Sequence, residues 1–198
     1  MRSLTIVRSL GGSNEPRSGS PSLAVPPSAQ DHRQGELNAT VMLVLYGDYQ
    51  DSQSADVYRL IKVIQRQLSV SLGEGYLCFI FRHFPQKQIH MQAQHAAEAA
   101  EAAAAQEQFW QMHDTLFNHQ QALGNGYLVE YTNDIGLDIC QFLQALAREV
   151  HIAQINEDAE SGLQSGVMKA PALFINGIRY GDHWHIEQLM TAIDAASH

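Results

Sequence analysis

Cysteine is nearly absent from this chain. Cys78 and Cys140 are the two present in 198 residues, and they stand far apart. That spacing excludes a disulfide framework and a cysteine-based zinc pattern, and both are read as free, buried thiols. No apolar run approaches the ~20 residues needed to span a bilayer as a helix. Basic residues are few: 12 Lys and Arg stand against 21 Asp and Glu, for a formal net charge of −9. The basic excess that exists is N-terminal, where Arg2, Arg8, Arg17 and Arg33 outnumber Glu15 and Asp31. The body is therefore more acidic still, which argues against nucleic acid or anionic membrane as partners. No glycine-rich loop suited to phosphate appears. An apolar signal-peptide core is also lacking, because Leu4–Val7 is too short and Arg8 interrupts it. A cytoplasmic location is expected.

What is present suits one globular domain carrying an insertion, at 45% hydrophobic content. Met1 to about Gln34 is rich in Ser, Pro, Gly and Arg and is expected to form a disordered arm, with Leu23–Pro26 a candidate short edge strand. Val41–Tyr46 is apolar throughout and reads as a strand buried on both faces. Gly47, Asp48 and Asp51 supply turn and cap chemistry, and Ser54 opens a helix to about Leu68 with Val57, Leu60, Ile61 and Ile64 at helical spacing. Tyr76–Arg82 is a second buried strand, so the two form a right-handed parallel βαβ unit.

A helical block follows: Ile89–Ala105, Gln106–His119, Tyr127–Ile135 closed by Gly136, Ile139–Ala147 capped by Asp138, and Val150–Leu163. Strand character returns at Val167–Asn176. Asn176-Gly177 is a two-residue hairpin signal leading into Ile178–Tyr180, and His183 to about Ala195 is the closing helix.

This order resembles the DsbA-like thioredoxin-fold family. The resemblance rests on Tyr46-Gly47-Asp48-Tyr49-Gln50 ahead of a four-residue helix start, on Asp31-His32 and Gly35 before the first core strand, and on Arg82-His83-Phe84-Pro85. Ala96-Ala97-Glu98-Ala99-Ala100, Phe109-Trp110 with Met112-His113-Asp114, and Ser165-Gly166-Val167 leading to Pro171 add to it. It covers about residues 31–195 and implies an α/β thioredoxin fold with an inserted helical subdomain. Residues 35–88 and 167–198 would form the thioredoxin-like domain, 89–166 the insertion and 1–34 the arm. The family commonly has a glycine where Glu107 stands, so a helix break is expected there.

In that family the helix start is Cys-x-x-Cys. Here it is Asp51-Ser52-Gln53-Ser54. The family reaction needs a thiolate to attack a disulfide and a second thiol to resolve the mixed species. A carboxylate and a hydroxyl can do neither, so no catalytic residue for disulfide exchange is expected. Asp51 reads as a helix N-cap whose charge also stands where the thiolate would, and the two roles are compatible. Ala170-Pro171 corresponds to the family's cis-proline loop, which faces the helix start and presents backbone to a peptide substrate.

The resemblance thus implies a redox-inactive module that binds a peptide or protein partner through the former active-site groove. One alternative is an enzyme like the kappa-class glutathione transferases and related isomerases, using Ser52 or Ser54 and taking glutathione or another small thiol. Another is a thiol:disulfide oxidoreductase by family alone. No cofactor is expected. No metal site is expected either: His90 and His95 are five apart, His183 and His185 lack a third partner, and the histidines read as surface or cap residues. The Ala-rich run bearing Glu98, Glu101 and Glu107 reads as a close-packed helix with a solvated acidic face.

Overall fold

The computed structural model describes residues 21–73, 75–181 and 184–198. Most of the expected arm, and His183, lie outside the described residues. A five-stranded sheet of order β1-β3-β2-β4-β5 organises the chain. Its centre is β2 (Val41–Gly47), α1 (Ser52–Leu72) and β3 (Leu77–His83), with the strands parallel from Val41 opposite Leu77 to Gly47 opposite His83. β4 (Ala172–Ile175) runs antiparallel to β2 and turns through Asn176-Gly177 into β5 (Ile178–Arg179). Both turn residues have positive φ, at 47° and 82°, which explains the Asn-Gly pair there.

Alternation along the strands sorts side chains onto two faces, and both are covered. Leu43, Leu45, Phe79, Phe81 and Leu173 belong to the larger cluster, under α1, the helical block and α7 (Ile186–Ala196). Val44, Tyr46, Ile80, Phe84 and Phe174 belong to the other, where Cys78 also lies. The helical block comprises α2 (Ala93–Ala104), α3 (Phe109–Asn118), α4 (Asn125–Ile135), α5 (Ile139–Ala147) and α6 (Ile152–Gln164). α6 packs on the second face, where Gly162 comes so near the sheet that a Cβ would stand 2.9 Å from the Phe84 ring. The break between α2 and α3 falls at Glu107, whose φ is 61°. Gln108 N–H then donates back to Ala103 O, which closes the helix end.

Three sequence expectations are corrected. Leu23–Pro26 is not a strand; β1 is His32–Gln34, antiparallel to β3 with His32 opposite Phe81. Residues 21–34 therefore belong to the fold and not to an arm. Their anchor is Arg82. Its guanidinium donates to Asp31 Oδ1 at 2.7 Å and Oδ2 at 3.2 Å, to Val25 O and Pro26 O, and to the Tyr46 hydroxyl. Burial opposes the charge, but the Asp31 carboxylate and the Tyr46 hydroxyl outweigh it and hold the Arg82 pKa above its ordinary value. Second, α2 starts at Ala93 and not Ile89, because His90 and Gln92 are used to hold the turn after β2. Third, α1 continues a turn past Leu68, to Leu72.

α1 begins at Asp51, whose backbone is extended and whose Oδ2 accepts from Ser54 N–H at 2.7 Å. That satisfies one of the orphan donors of the first turn.

Two stability outcomes are expected in urea unfolding. Arg82→Met leaves the buried Asp31 carboxylate unpaired and should cost about 3–5 kcal/mol. Arg82→Met combined with Asp31→Leu should recover part of that loss. Asp51→Ala removes the cap and should cost about 0.5–2 kcal/mol, whereas Asp51→Asn keeps an acceptor and should cost much less. Equal losses for Ala and Asn would assign the effect to the negative charge at the helix end.

Candidate functional site

The turn between β2 and α1 is held from every side. Gly47 is obligatory, since a Cβ there would sit 2.5 Å from Phe81 Cε2. Asp48 is buried; its Oδ1 accepts from Gln50 N–H, and its Oδ2 accepts from Gln86 N–H and from His90 Nδ1, each at 2.8 Å. Gln120, beyond α3, donates to the carbonyls of Tyr49 and Asp51, each at 2.8 Å. Gln92 N–H donates to Gln50 Oε1.

Within this frame Asp51 and Ser54 bond to one another. Ser54 Oγ–H donates to Asp51 Oδ2 at 2.7 Å, the same oxygen that caps the helix, and Ser54 Oγ accepts from Asp48 N–H at 3.3 Å. Ser54 is 0% exposed. Its hydroxyl is thus inaccessible, and its proton is directed to a carboxylate. Ser52 and Gln53 face solvent. The Ala170–Pro171 peptide bond is cis, and both residues are buried. Tyr46 pairs with Ala172, so Pro171 lies at the C-terminal end of β2, the end from which α1 departs. The register therefore brings Asp51–Ser54 and Ala170-Pro171 to one end of the sheet. Around that end stand exposed apolar side chains: Met91 beside the turn, 89% exposed, and Met168 just before Ala170, 84% exposed.

Neither cysteine reaches this place. Cys78 is buried on β3 and Cys140 is exposed on α5; both are free. Burial pushes the Cys78 thiol pKa up, which disfavours a thiolate. Cys140 differs from the expectation of a buried thiol, because its helix turns only Phe142 fully inward.

Beneath the turn lies a layer of aromatic rings. Tyr49 OH donates to His113 Nδ1 at 2.7 Å. Burial, then the charge of Glu101, raises the Tyr49 pKa, while burial, then the charges of His83 and His32, lowers that of His113. The pair is therefore a phenol donating to a neutral imidazole. His113 Nε2 has no hydrogen-bond partner among the described residues, and its ring packs edge-on against Phe81 and Tyr58.

Next to this layer a second polar group appears that sequence spacing did not bring out. His32 Nε2 and His83 Nε2 both approach Glu101 Oε1, at 2.7 and 2.8 Å. Burial works against the Glu101 charge, yet the hydrogen bonds from the two imidazoles hold its pKa far below the usual carboxylate range. His83 N–H also donates to Asp158 Oδ2 at 2.9 Å, and burial raises Asp158 to about 6. These residues correct two expectations. Glu98 and Glu101 are buried and do not form a solvated face, and His83 and His113 are core residues, not surface ones. His185 is exposed at the start of α7. The signal available in the sequence was Asp31-His32 and Arg82-His83, where neighbours in a strand must point to opposite faces.

The chain matches the thioredoxin family over residues 28–195. Oxidised BdbD from Bacillus subtilis has a similar structure, with a TM-score of 0.72 and 19% identity over 90% of this chain and 96% of that one. Alpha-DsbA1 from Wolbachia pipientis gives a TM-score of 0.73 and 18% identity over 86% of this chain and 92% of that one. At such identities the likeness speaks for the fold. Among curated proteins, "Na(+)/H(+) antiporter NhaA 3" of Salinispora tropica is 34% identical over 167 residues, covering 84% of this chain and 25% of that protein. "Na(+)/H(+) antiporter NhaA 1" of Mycolicibacterium vanbaalenii is 34% identical over 170 residues, 26% of its length. The chain spans about a quarter of these relatives, and their name describes the whole proteins. Among the described residues no helix is long and apolar enough to cross a membrane. With its sheet order, its helical insertion and its site at the C-terminal end of β2, the chain belongs to the thioredoxin family and has the DsbA-like form of its fold.

Proposed function

We propose that this protein binds an extended peptide or protein segment, in the cytoplasm, at the end of the sheet formed by Asp51–Ser54 and Ala170-Pro171, and performs no disulfide exchange there. The observation that carries the reading is the Ser54–Asp51 hydrogen bond. The two positions that would need sulfur satisfy one another and cap α1. Disulfide exchange requires an attacking thiolate and a resolving thiol, and neither a carboxylate nor a buried hydroxyl forms a mixed disulfide. The reading of a serine-dependent transferase loses support for a related reason. Ser54 is sealed, and Ser52 makes no side-chain hydrogen bond among the described residues that would activate it.

Support for a peptide ligand comes from the surroundings. Main-chain groups next to Pro171 suit strand-like addition of an extended segment. Met91 and Met168 offer adaptable apolar contacts. Asp51 keeps a carboxylate at the floor, and the whole chain is acidic, so segments carrying Lys or Arg are favoured over acidic ones. The two free thiols stand apart and need no oxidising compartment.

In an insulin-reduction assay the chain should show no turnover above background. Turnover abolished by Cys78→Ser or Cys140→Ser would overturn the reading. Asp51→Cys with Ser54→Cys rebuilds a Cys-x-x-Cys on the same turn. The folded double variant should gain dithiol reactivity and trap basic peptides as mixed disulfides more readily than acidic ones. Two inert thiols in a folded double variant would mean that no peptide reaches the turn.

A further inference from the structure

His32, His83 and Glu101 come from three elements that share no local sequence: β1, the end of β3, and α2. Their ligand-type atoms lie within 4.8 Å of one another. Two imidazole nitrogens and one carboxylate oxygen are a donor set that zinc and its first-row neighbours take, and three protein ligands leave one position open. We propose that His32, His83 and Glu101 bind one divalent transition metal ion of the zinc class. The inference is independent of the peptide-binding reading, since it uses none of the residues at the helix start.

The rings are set before any ion arrives. His32 stacks on Phe109 with centroids 3.4 Å apart and planes 6° from parallel. His83 meets Phe81, Phe109 and the His32 ring edge to face. Both imidazoles direct Nε2 at the same oxygen. Zinc holds nitrogen and oxygen ligands at ~2.0–2.1 Å, which puts tetrahedral ligand atoms roughly 3.3–3.4 Å apart. The present contacts of 2.7 and 2.8 Å need to open by only about half an ångström. A small rotation of the Glu101 carboxylate widens its contact with His83, and a rotamer adjustment of the partly exposed His32 widens the other. The charge also fits: Glu101 is a carboxylate, and Asp158 places a second carboxyl group on the His83 side, bonded to the His83 backbone N–H.

Access is open on one side. The His32 side chain is 17% exposed and lines a cleft of about 680 Å³ together with Asp31, Arg82, Gln154 and Asp158. Of the three ligands His32 alone lines that cleft, so an ion enters past its side chain, and a water can fill the fourth position. Without an ion, the same atoms make a hydrogen-bonded bridge in which both imidazoles donate to Glu101. That bridge is the competing explanation, and it demands no ion.

Metal titration of the full chain separates the two. After treatment with a chelator and its removal, the chain is titrated with Zn²⁺ by calorimetry and with Co²⁺ by visible absorption. One ion per chain is expected, with tetrahedral cobalt bands and no thiolate charge-transfer band, which keeps Cys140 out of the site. Saturating Zn²⁺ should raise the midpoint of thermal unfolding, as for any ligand of the native state. Glu101→Gln and His83→Gln should each weaken Zn²⁺ binding by at least ~10–100-fold, the loss that even outer-shell changes bring. His119→Gln, at an exposed histidine, should leave it unchanged. Failure to bind one ion tightly, or equal binding by unaltered chain and a folded Glu101→Gln, would overturn the proposal. Equal weakening by His119→Gln would do so too. If the substituted chains do not fold, NMR of the cobalt-loaded unaltered chain decides. Two paramagnetically shifted imidazole N–H protons support the site, and their absence refutes it.

Discussion

Arg82 is the interaction on which the rest of this structure leans. It stands on β3 with its side chain on the α6 face, and it ties residues 25–31 to the sheet through one guanidinium. Through Tyr46 it reaches the helical block as well. Tyr46 OH accepts from Arg82 and bonds to Ser161 Oγ, whose own hydrogen goes to Asp158 O. A planar cation with five donors in a fixed fork meets five acceptor atoms here, more than the three donors of a lysine could serve. Because residues 25–31 are held there, β1 can follow, and His32 is carried over to the opposite face of β3. There it meets His83, the neighbour of Arg82 in sequence. One strand end thus sends a cation to one face and an imidazole to the other.

This arrangement explains what was legible in the sequence. Elements with their own local periodicity were readable: Val41–Tyr46, the helix after Asp51, the Asn176-Gly177 hairpin, and the caps at Asp51 and Asp138. The position of Asp51–Ser54 at the helix start followed from that local pattern. The break at Glu107 came from the family resemblance, since a glutamate gives little sign of positive φ. Three-residue β1 was not legible, because it has no alternation of its own and exists only through pairing with β3. Glu98 and Glu101 misled for a physical reason. Acidic residues at helical spacing indicate a wet face unless something polar waits on the other side, and for Glu101 that is His32 and His83, which come from β1 and β3. Burial of a carboxylate is legible only together with its partners.

The core helices show how little room the fold leaves for error. α2 brings mostly Ala to the interior, so it lies close to its neighbours, and Gly162 performs the same service for α6 against Phe84 and Tyr46. Close approach puts the polar groups of α2 within hydrogen-bonding distance of the strand ends. The buried histidines are therefore a product of small residues as much as of polar ones.

The mutual bond between Asp51 and Ser54 also bears on how a chain of this kind could change over generations. Each side chain supplies what the other lacks, so neither can be exchanged alone without loss. Placing a thiol at position 51 leaves the Ser54 hydroxyl sealed in with its acceptor gone. Placing one at position 54 takes a strong donor from the carboxylate and puts a weak one in its place. Either single exchange therefore loses an interaction that the pair supplies, and the effects of the two sites do not add. The hydrogen bond thus makes one unit of substitution out of two positions three residues apart, with the geometry of the turn preserved only when both change.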